Sequence, residues 1–298
     1  MADEQVNGSA AGASAPLEYR DAVTSTNDVA IQAALDEAPH GWAVSAGRQT
    51  AGRGRRGHVW ASPAGSLYLS VVLRPQVPMQ NFIALSAVCS MGVIDMLHEL
   101  GLAGRVGIKW PNDIVARVDA PAAGETGQAS AAAFDRKLVG VLVEARAGSD
   151  GPFAVAGMGI NVQPVKIDGA LASESEEVAA GPKPLAPISL AELLGEGAEV
   201  PELTDLARML RDAVVARVDA WAAAVRAGGA SAGPLAPILS EYFDMVPMLG
   251  HQVAVLSPTG HLMDTGVFAG LDVWGRACVM TPSGEKALPA EAVSLRAL

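Results

Sequence analysis

Before residue 246 the chain offers six strand-like runs and three helical ones, and after it the sequence turns to short strands alone. In "GSLYLSVVLRP", Leu67, Leu69 and Val71 alternate with Tyr68, Ser70 and Val72, the period of a strand, and Arg74-Pro75 closes the run. "YRDAV", "GWAVSAGRQ", "VGIKW", "LVGVLVEA" and "FAVAGMGINV" supply the other strands. "STND" offers capping side chains for a helix through "DVAIQAALDEA". Ala84, Val88, Met91, Ile94 and Leu97 mark a largely buried helix that stops at Gly101, and Leu203, Leu206, Leu210 and Val214 stripe a third. From Pro247 onward "HQVAVL", "TGVFAGLDV", "ACVMTP" and "KALPAEAVSL" alternate with glycine turns, as in a small SH3-like barrel. The chain is therefore divided into a disordered tail at 1–17, a main domain at 18–246 and a small domain at 247–298. Residues 117–136, rich in Ala, Gly and Ser, read as a hairpin insert, and 168–187 as another irregular stretch.

Charge singles out one segment. "GRQTAGRGRRGHVW", residues 47–60, holds four arginines and four glycines in a chain of net charge −11 and pI near 4.9. No Asp or Glu lies between Glu37 and Asp95, so a bound anion is expected to neutralise the cluster. The acidic balance excludes a general binder of nucleic acid or anionic membrane, so any anion site is local. Two cysteines far apart fit a reducing compartment. The N-terminus lacks the basic and apolar regions of a signal peptide, and no segment supplies about 20 uninterrupted apolar residues. The expectation is a cytoplasmic protein with no membrane partner.

The Arg/Gly loop has three readings. Backbone N–H groups at its glycines and arginine forks can surround a carboxylate or phosphate. A phosphate-binding P-loop would need a Gly-Lys dipeptide, which the chain lacks. The plain alternative is a flexible loop or an RGG-like nucleic-acid segment. Alone, the loop leaves the first and third open. "KWPND", residues 109–113, places Asn112 and Asp113 at the mouth of a strand, although "PND" can equally be a self-satisfied turn. Lys137 heads the apolar strand "KLVGVLVEA", where a lone lysine often snorkels at an edge. "GMGINV" puts Asn161 after two glycines, which also suits a tight turn.

Each motif is weak singly, but in order "STND", "GRQTAGRGRRGHVW", "KWPND", "KLVGVLVE" and "GMGINV" closely resemble the signature of biotin protein ligases across roughly residues 18–165. The resemblance implies an α+β fold, with a central mixed β-sheet flanked by helices, similar to class II aminoacyl-tRNA synthetases, and a C-terminal SH3-like barrel. It implies ATP- and Mg²⁺-dependent activation of biotin to biotinyl-5′-AMP. Transfer to one lysine of the carboxyl carrier protein or domain of acyl-CoA or pyruvate carboxylases follows. Residue by residue, it implies biotin contacts at Ser25, Thr26, Gln49, Gly52, Arg53, Arg55, Lys137 and Gly140. Adenylate contacts fall at Arg53, Arg55, His58, Trp60, Asn112, Lys137 and Asn161. Lys137, Arg53 and Arg55 would carry the catalytic charge, and Asp113 could hold a metal.

The chain departs from the pattern in places. About seventeen residues precede the first motif, too few for the winged helix-turn-helix that makes some members repressors, so no DNA binding is expected. His58 stands where an arginine is frequent, and the 117–136 insert is long. The rivals are a lipoate–protein ligase or octanoyltransferase of the same superfamily and an RNA-binding protein. Net charge and an aromatic content of 4% oppose the latter.

Overall fold

The computed structural model describes residues 15–57, 60, 62, 64–119, 131–164, 185–228 and 232–298. It places β1 (Leu17–Arg20), α1 (Thr26–Leu35), β2 (Ala43–Ala46), β3 (Leu67–Leu73), α2 (Leu85–Glu99), β4 (Val106–Lys109) and β5 (Asp113–Ala116) in the first half. β6 (Arg136–Gly148), β7 (Gly151–Ile160), β8 (Ala186–Pro187), α3 (Leu190–Leu194), α4 (Leu203–Gly228) and α5 (Leu239–Asp244) follow. The chain ends in β9 (Gln252–Leu256), β10 (Leu262–Leu271), β11 (Ala277–Thr281), β12 (Gly284–Leu288) and β13 (Ser294–Ala297).

The main sheet runs β1-β2-β3-β7-β6-β5-β4, with β8 beside β6. β1–β2 and β6–β8 are parallel and the remaining pairs antiparallel, so the sheet is mixed. β3 is buried along its whole length, Tyr68 and Ser70 included. The reason is that both faces of the sheet are covered. Leu67, Leu69, Val71 and Leu73 join α2 and α4 in the large core, whereas Val72 packs with Val44, Phe153, Val155 and Ala30 and Ala34 of α1. Helices α2 and α4 approach closely because Gly92 leaves room for the Val214 backbone. Arg217 of α4 then pairs with Asp95 of α2 and with Glu241 of α5.

The segment Met79–Glu99 is long and apolar enough to cross a membrane by length and composition, but 78% of that window is buried inside the fold. It is the core helix that the sequence pattern indicated.

The second sheet is antiparallel throughout, in the order β12-β11-β10-β9-β13. "KALPAEAVSL", read as one run, is split by the turn 289–293 into β12 and β13. Four further elements lay outside the sequence reading: β5, directly after the "WPN" turn; β8, within the stretch read as irregular; α3, opened by a capping box between Ser189 and Glu192; and the short α5. Ala15 and Pro16, assigned to the tail, are held in place, because Arg211 donates to the Ala15 carbonyl and the Ala43 N–H donates to that of Pro16. Of the 117–136 insert, residues 120–130 lie outside the described residues, as do 168–184 of the second irregular stretch.

Candidate active site

The α1-facing side of β6 and β7 is stripped of side chains where a site could form. Gly140 pairs directly with Gly159, and Gly157 lies two residues earlier on the same face of β7. Trp60 lies over the first pair: a Cβ at Gly140 would sit 2.7 Å from its ring, and one at Gly159 2.6 Å from its Nε1. Gly157 likewise makes room for Asn27. Glycine inside a strand marks such close approaches, and here three of them make a floor.

Above that floor, the N-terminus of α1 meets the start of the Arg/Gly loop. Gln49 Oε1 accepts from the Thr26 backbone N–H at 2.8 Å and from its hydroxyl at 3.1 Å, while Gln49 Nε2 donates to Ser62 Oγ at 3.0 Å. Backbone bonds from Val23 to Arg48 and from Thr50 to Val23 zip the two segments together. Ser25 is buried at the N-cap position in extended conformation, and its side chain does not cap the helix. Gly52 approaches Ser62 and the Trp60 carbonyl and accepts the Trp60 N–H at 2.9 Å, closing the loop on itself.

The tight turn between β4 and β5 provides a charged centre. Asp113 takes Lys137 Nζ at 2.6 Å on one oxygen and Lys109 Nζ at 3.5 Å on the other. Burial alone would raise Asp113, but the two ammonium groups outweigh it and hold the carboxyl below its ordinary value. Burial lowers Lys109, with Lys137 and Arg296 adding to the shift against the pull of Asp113. Lys137 Nζ also lies 5.0 Å from the Trp60 ring centre, a cation–π distance. Asn112 Nδ2 donates to the Val141 carbonyl at 2.6 Å, and Asn161 Nδ2 donates to the carbonyls of Lys137 and Ile188 at 3.4 and 3.3 Å. Asn112 and Asn161 thus brace β6 around Lys137.

The local sequence left the arginine cluster without a carboxylate, but Arg53 finds two within the fold. Arg53 pairs with Asp28 of α1 at 2.7 Å and with Glu144 of β6 at 3.2 Å. Arg55 donates to Asn112 Oδ1 at 3.4 Å and to the Ala290 carbonyl at 2.8 Å. Arg56, at φ 57°, donates to the carbonyls of Ala290 and Val293 at 2.5 and 2.7 Å. Burial lowers the Arg55 guanidinium from its ordinary value, and neighbouring Arg56 lowers it further. The correction has a simple cause: the compensating groups lie far away in sequence.

Of the residues singled out in the sequence, Ser25, Thr26, Gln49, Gly52, Arg53, Arg55, Trp60, Asn112, Asp113, Lys137, Gly140 and Asn161 occupy this region, and His58 lies outside the described residues. Lys109, Asn27, Glu144, Arg56 and Gly159 were missed. The scarcity of lysine among the basic residues was the available signal for Lys109. Among the described residues no group of three His, Cys, Asp or Glu side chains could hold a metal. Asp113, with its oxygens turned to two lysines, does not fit as a ligand in a resident metal site.

Residues 19–161 match the biotin/lipoate A/B protein ligase family. A biotin–[acetyl-CoA-carboxylase] ligase of Paracoccus denitrificans is 30% identical over 271 residues, spanning 90% of this chain and 96% of that protein. The chain belongs to this family. A ligase of the same description from Mycobacterium tuberculosis is 29% identical over 262 residues, spanning 86% of this chain and 79% of the relative. In fold, the chain is similar to the biotin protein ligase of Aquifex aeolicus solved in complex with biotin and ATP. The TM-score is 0.66 at 23% identity, covering 95% of this chain and 99% of that one.

Proposed function

We propose that this chain activates biotin with ATP and transfers the biotinyl group to a lysine of a biotin carboxyl carrier domain. The observation that carries the reading is Lys137, set against Asp113 and Trp60 beside a glycine floor and beneath an arginine loop. A carboxylate is already ionised at neutral pH, so the first step needs no general base. One carboxylate oxygen bonds to the α-phosphorus, the bond to the bridging oxygen breaks, and pyrophosphate leaves with the electron pair. Lys137, Arg53 and Arg55 stabilise the charge on the reacting oxygens. Ser25, Thr26, Gln49, Gly52 and Gly140 seat the biotin ring and chain, while Trp60, Asn112 and Asn161 border the nucleotide, a role that His58 shares by its motif position alone. In the second step the carrier lysine's neutral amine attacks the acyl carbonyl, AMP leaves, and the amine gives up a proton.

Magnesium enters as part of the MgATP substrate, and no step is assigned to a resident ion. The finer architecture belongs to the same proposal: a synthetase-like catalytic domain at 18–246 and an SH3-like domain at 247–298. So do a cytoplasmic location, an acceptor on acyl-CoA or pyruvate carboxylases, and the absence of DNA or membrane partners. The Paracoccus relative, named for acetyl-CoA carboxylase, supports the acceptor class. The test is exchange of labelled pyrophosphate into ATP. Biotin should drive it and lipoate or octanoate should not; exchange with lipoate alone would overturn the assignment.

A further inference from the structure

We propose that Glu144 is a positioning residue that seats Arg53 and, through it, the Arg/Gly loop over the site. This deepens the function proposed above and rests on it. One oxygen of Glu144, Oε2, accepts from Asn27 Nδ2 at 2.8 Å and from Arg53 at 3.2 Å. Asn27 can stand there because Gly157 has no side chain, and its Oδ1 lies 2.6 Å from the Ser70 hydroxyl. Three separate elements therefore meet at a single carboxylate: the first turn of α1, strand β6 and the loop. Asp28 also reaches Arg53, but its side chain is 46% exposed against 24% for Glu144 and so is the more strongly screened partner.

A carboxylate next to an arginine assigned to anion binding opposes anion capture by simple electrostatics. Glu144 therefore serves geometry. Removing it makes the site more positive yet frees the loop, and this distinguishes positioning from attraction. A residue that merely attracted ligand would change capture. A residue that seats the loop changes retention of the adenylate.

The test uses Glu144→Gln, which keeps the shape and an acceptor for Asn27, together with Arg53→Ala and the double variant. Release of the biotinyl adenylate is timed after gel filtration, and formation is followed by pyrophosphate exchange. Glu144→Gln should speed release about tenfold, the loss of one charge-assisted contact, with a smaller effect on formation and an unraised KM for biotin. In the Arg53→Ala background the same change should alter release by less than about twofold, since coupled residues are non-additive. Equal effects of Glu144→Gln in both backgrounds would overturn the proposal. A second reading needs no ligand: trypsin should cut after Arg53 or Arg55 faster in folded Glu144→Gln than in the parent protein. Unchanged cutting also overturns it. Failure of the parent protein to exchange pyrophosphate with biotin would sink the function instead, while the trypsin comparison still tests the role of Glu144.

Discussion

Replacing Asp113 with Asn should destabilise the fold by about 3 kcal/mol near neutral pH. The carboxylate is 17% exposed and lies between Lys137 and Lys109, whose side chains are 28% and 12% exposed. Asn fills the same space but leaves two ammonium groups facing each other without compensation. Breaking a buried pair by removing one partner costs roughly 3–5 kcal/mol, and the partial exposure of Lys137 argues for the lower end. The pH dependence follows from the directions of the shifts. Asp113 is depressed below its ordinary value of 3.8, so its contribution is present above that pH and lost as pH falls through the folded value. Lys109 is depressed below 10.5, and removing Asp113 removes the influence that raises it. In Asp113→Asn the folded state therefore sheds the Lys109 proton at lower pH, and stability rises relative to the parent as pH climbs toward 10.5. The difference between parent and variant should be largest near neutrality and shrink in acid and in alkali. Urea unfolding followed by circular dichroism across that range measures it, and adding Lys109→Met to the variant should recover part of the loss. A neutral-pH difference under about 1 kcal/mol, or a further loss from Lys109→Met, would refute the account.

Lys137→Ala leaves Asp113 still paired with Lys109, so the chain should fold with reduced stability, and adenylate formation should slow by about 3–4 kcal/mol in barrier, the scale of one lost oxyanion donor. Near-normal pyrophosphate exchange in a folded variant would remove Lys137 from the mechanism. Gly159→Ala places a Cβ 2.6 Å from Trp60 Nε1 on a strand held from both sides, so the indole must lift. The expected cost is about 1–3 kcal/mol with a shifted tryptophan emission, and an unchanged urea midpoint and spectrum would show that Trp60 does not lie there. Arg55→Gly should loosen retention of the adenylate about 10–100-fold, more than it slows formation. The escaped mixed anhydride would then acylate a bystander protein lacking the carrier motif; bystander labelling at the parent level would show that Arg55 does not retain the adenylate.

Much of the main sheet was legible because long apolar runs such as "KLVGVLVEA" and "FAVAGMGINV" leave little choice of element. Elements of four or five residues were not. "DIVA" follows the "WPN" turn with no punctuation of its own and was assigned to no element. α3 did announce itself through Ser189 and Glu192 at capping-box spacing, a signal that was present and passed over. The alternation in β3 marked the strand correctly but not its burial on both faces: Tyr68 and Ser70 are buried too, and a helix terminus supplies the Ser70 hydroxyl with polar partners in Asn27 and Thr26. The motif residues came together as their order implied. Their partners did not emerge, since Arg53 meets Glu144 across 91 positions and Arg55 meets Ala290 across 235.

Those distant partners bear on what the second sheet is for. A loop with four glycines pays a large ordering entropy, so a defined conformation needs fixed contacts from outside it. Glu144 and Asp28 hold one side through Arg53, and the turn 289–293 holds the other through Arg55 and Arg56. Arg56 adopts left-handed backbone, which costs a non-glycine residue on the order of 1 kcal/mol, and two charge-assisted bonds to main-chain carbonyls offset that cost. The turn bearing those carbonyls is itself anchored, since Val293 and Leu295 belong to the same hydrophobic cluster as α2 and β3. The C-terminal sheet is thus continuous with the core and in contact with the loop, and it sets the position of the arginines through rigid backbone.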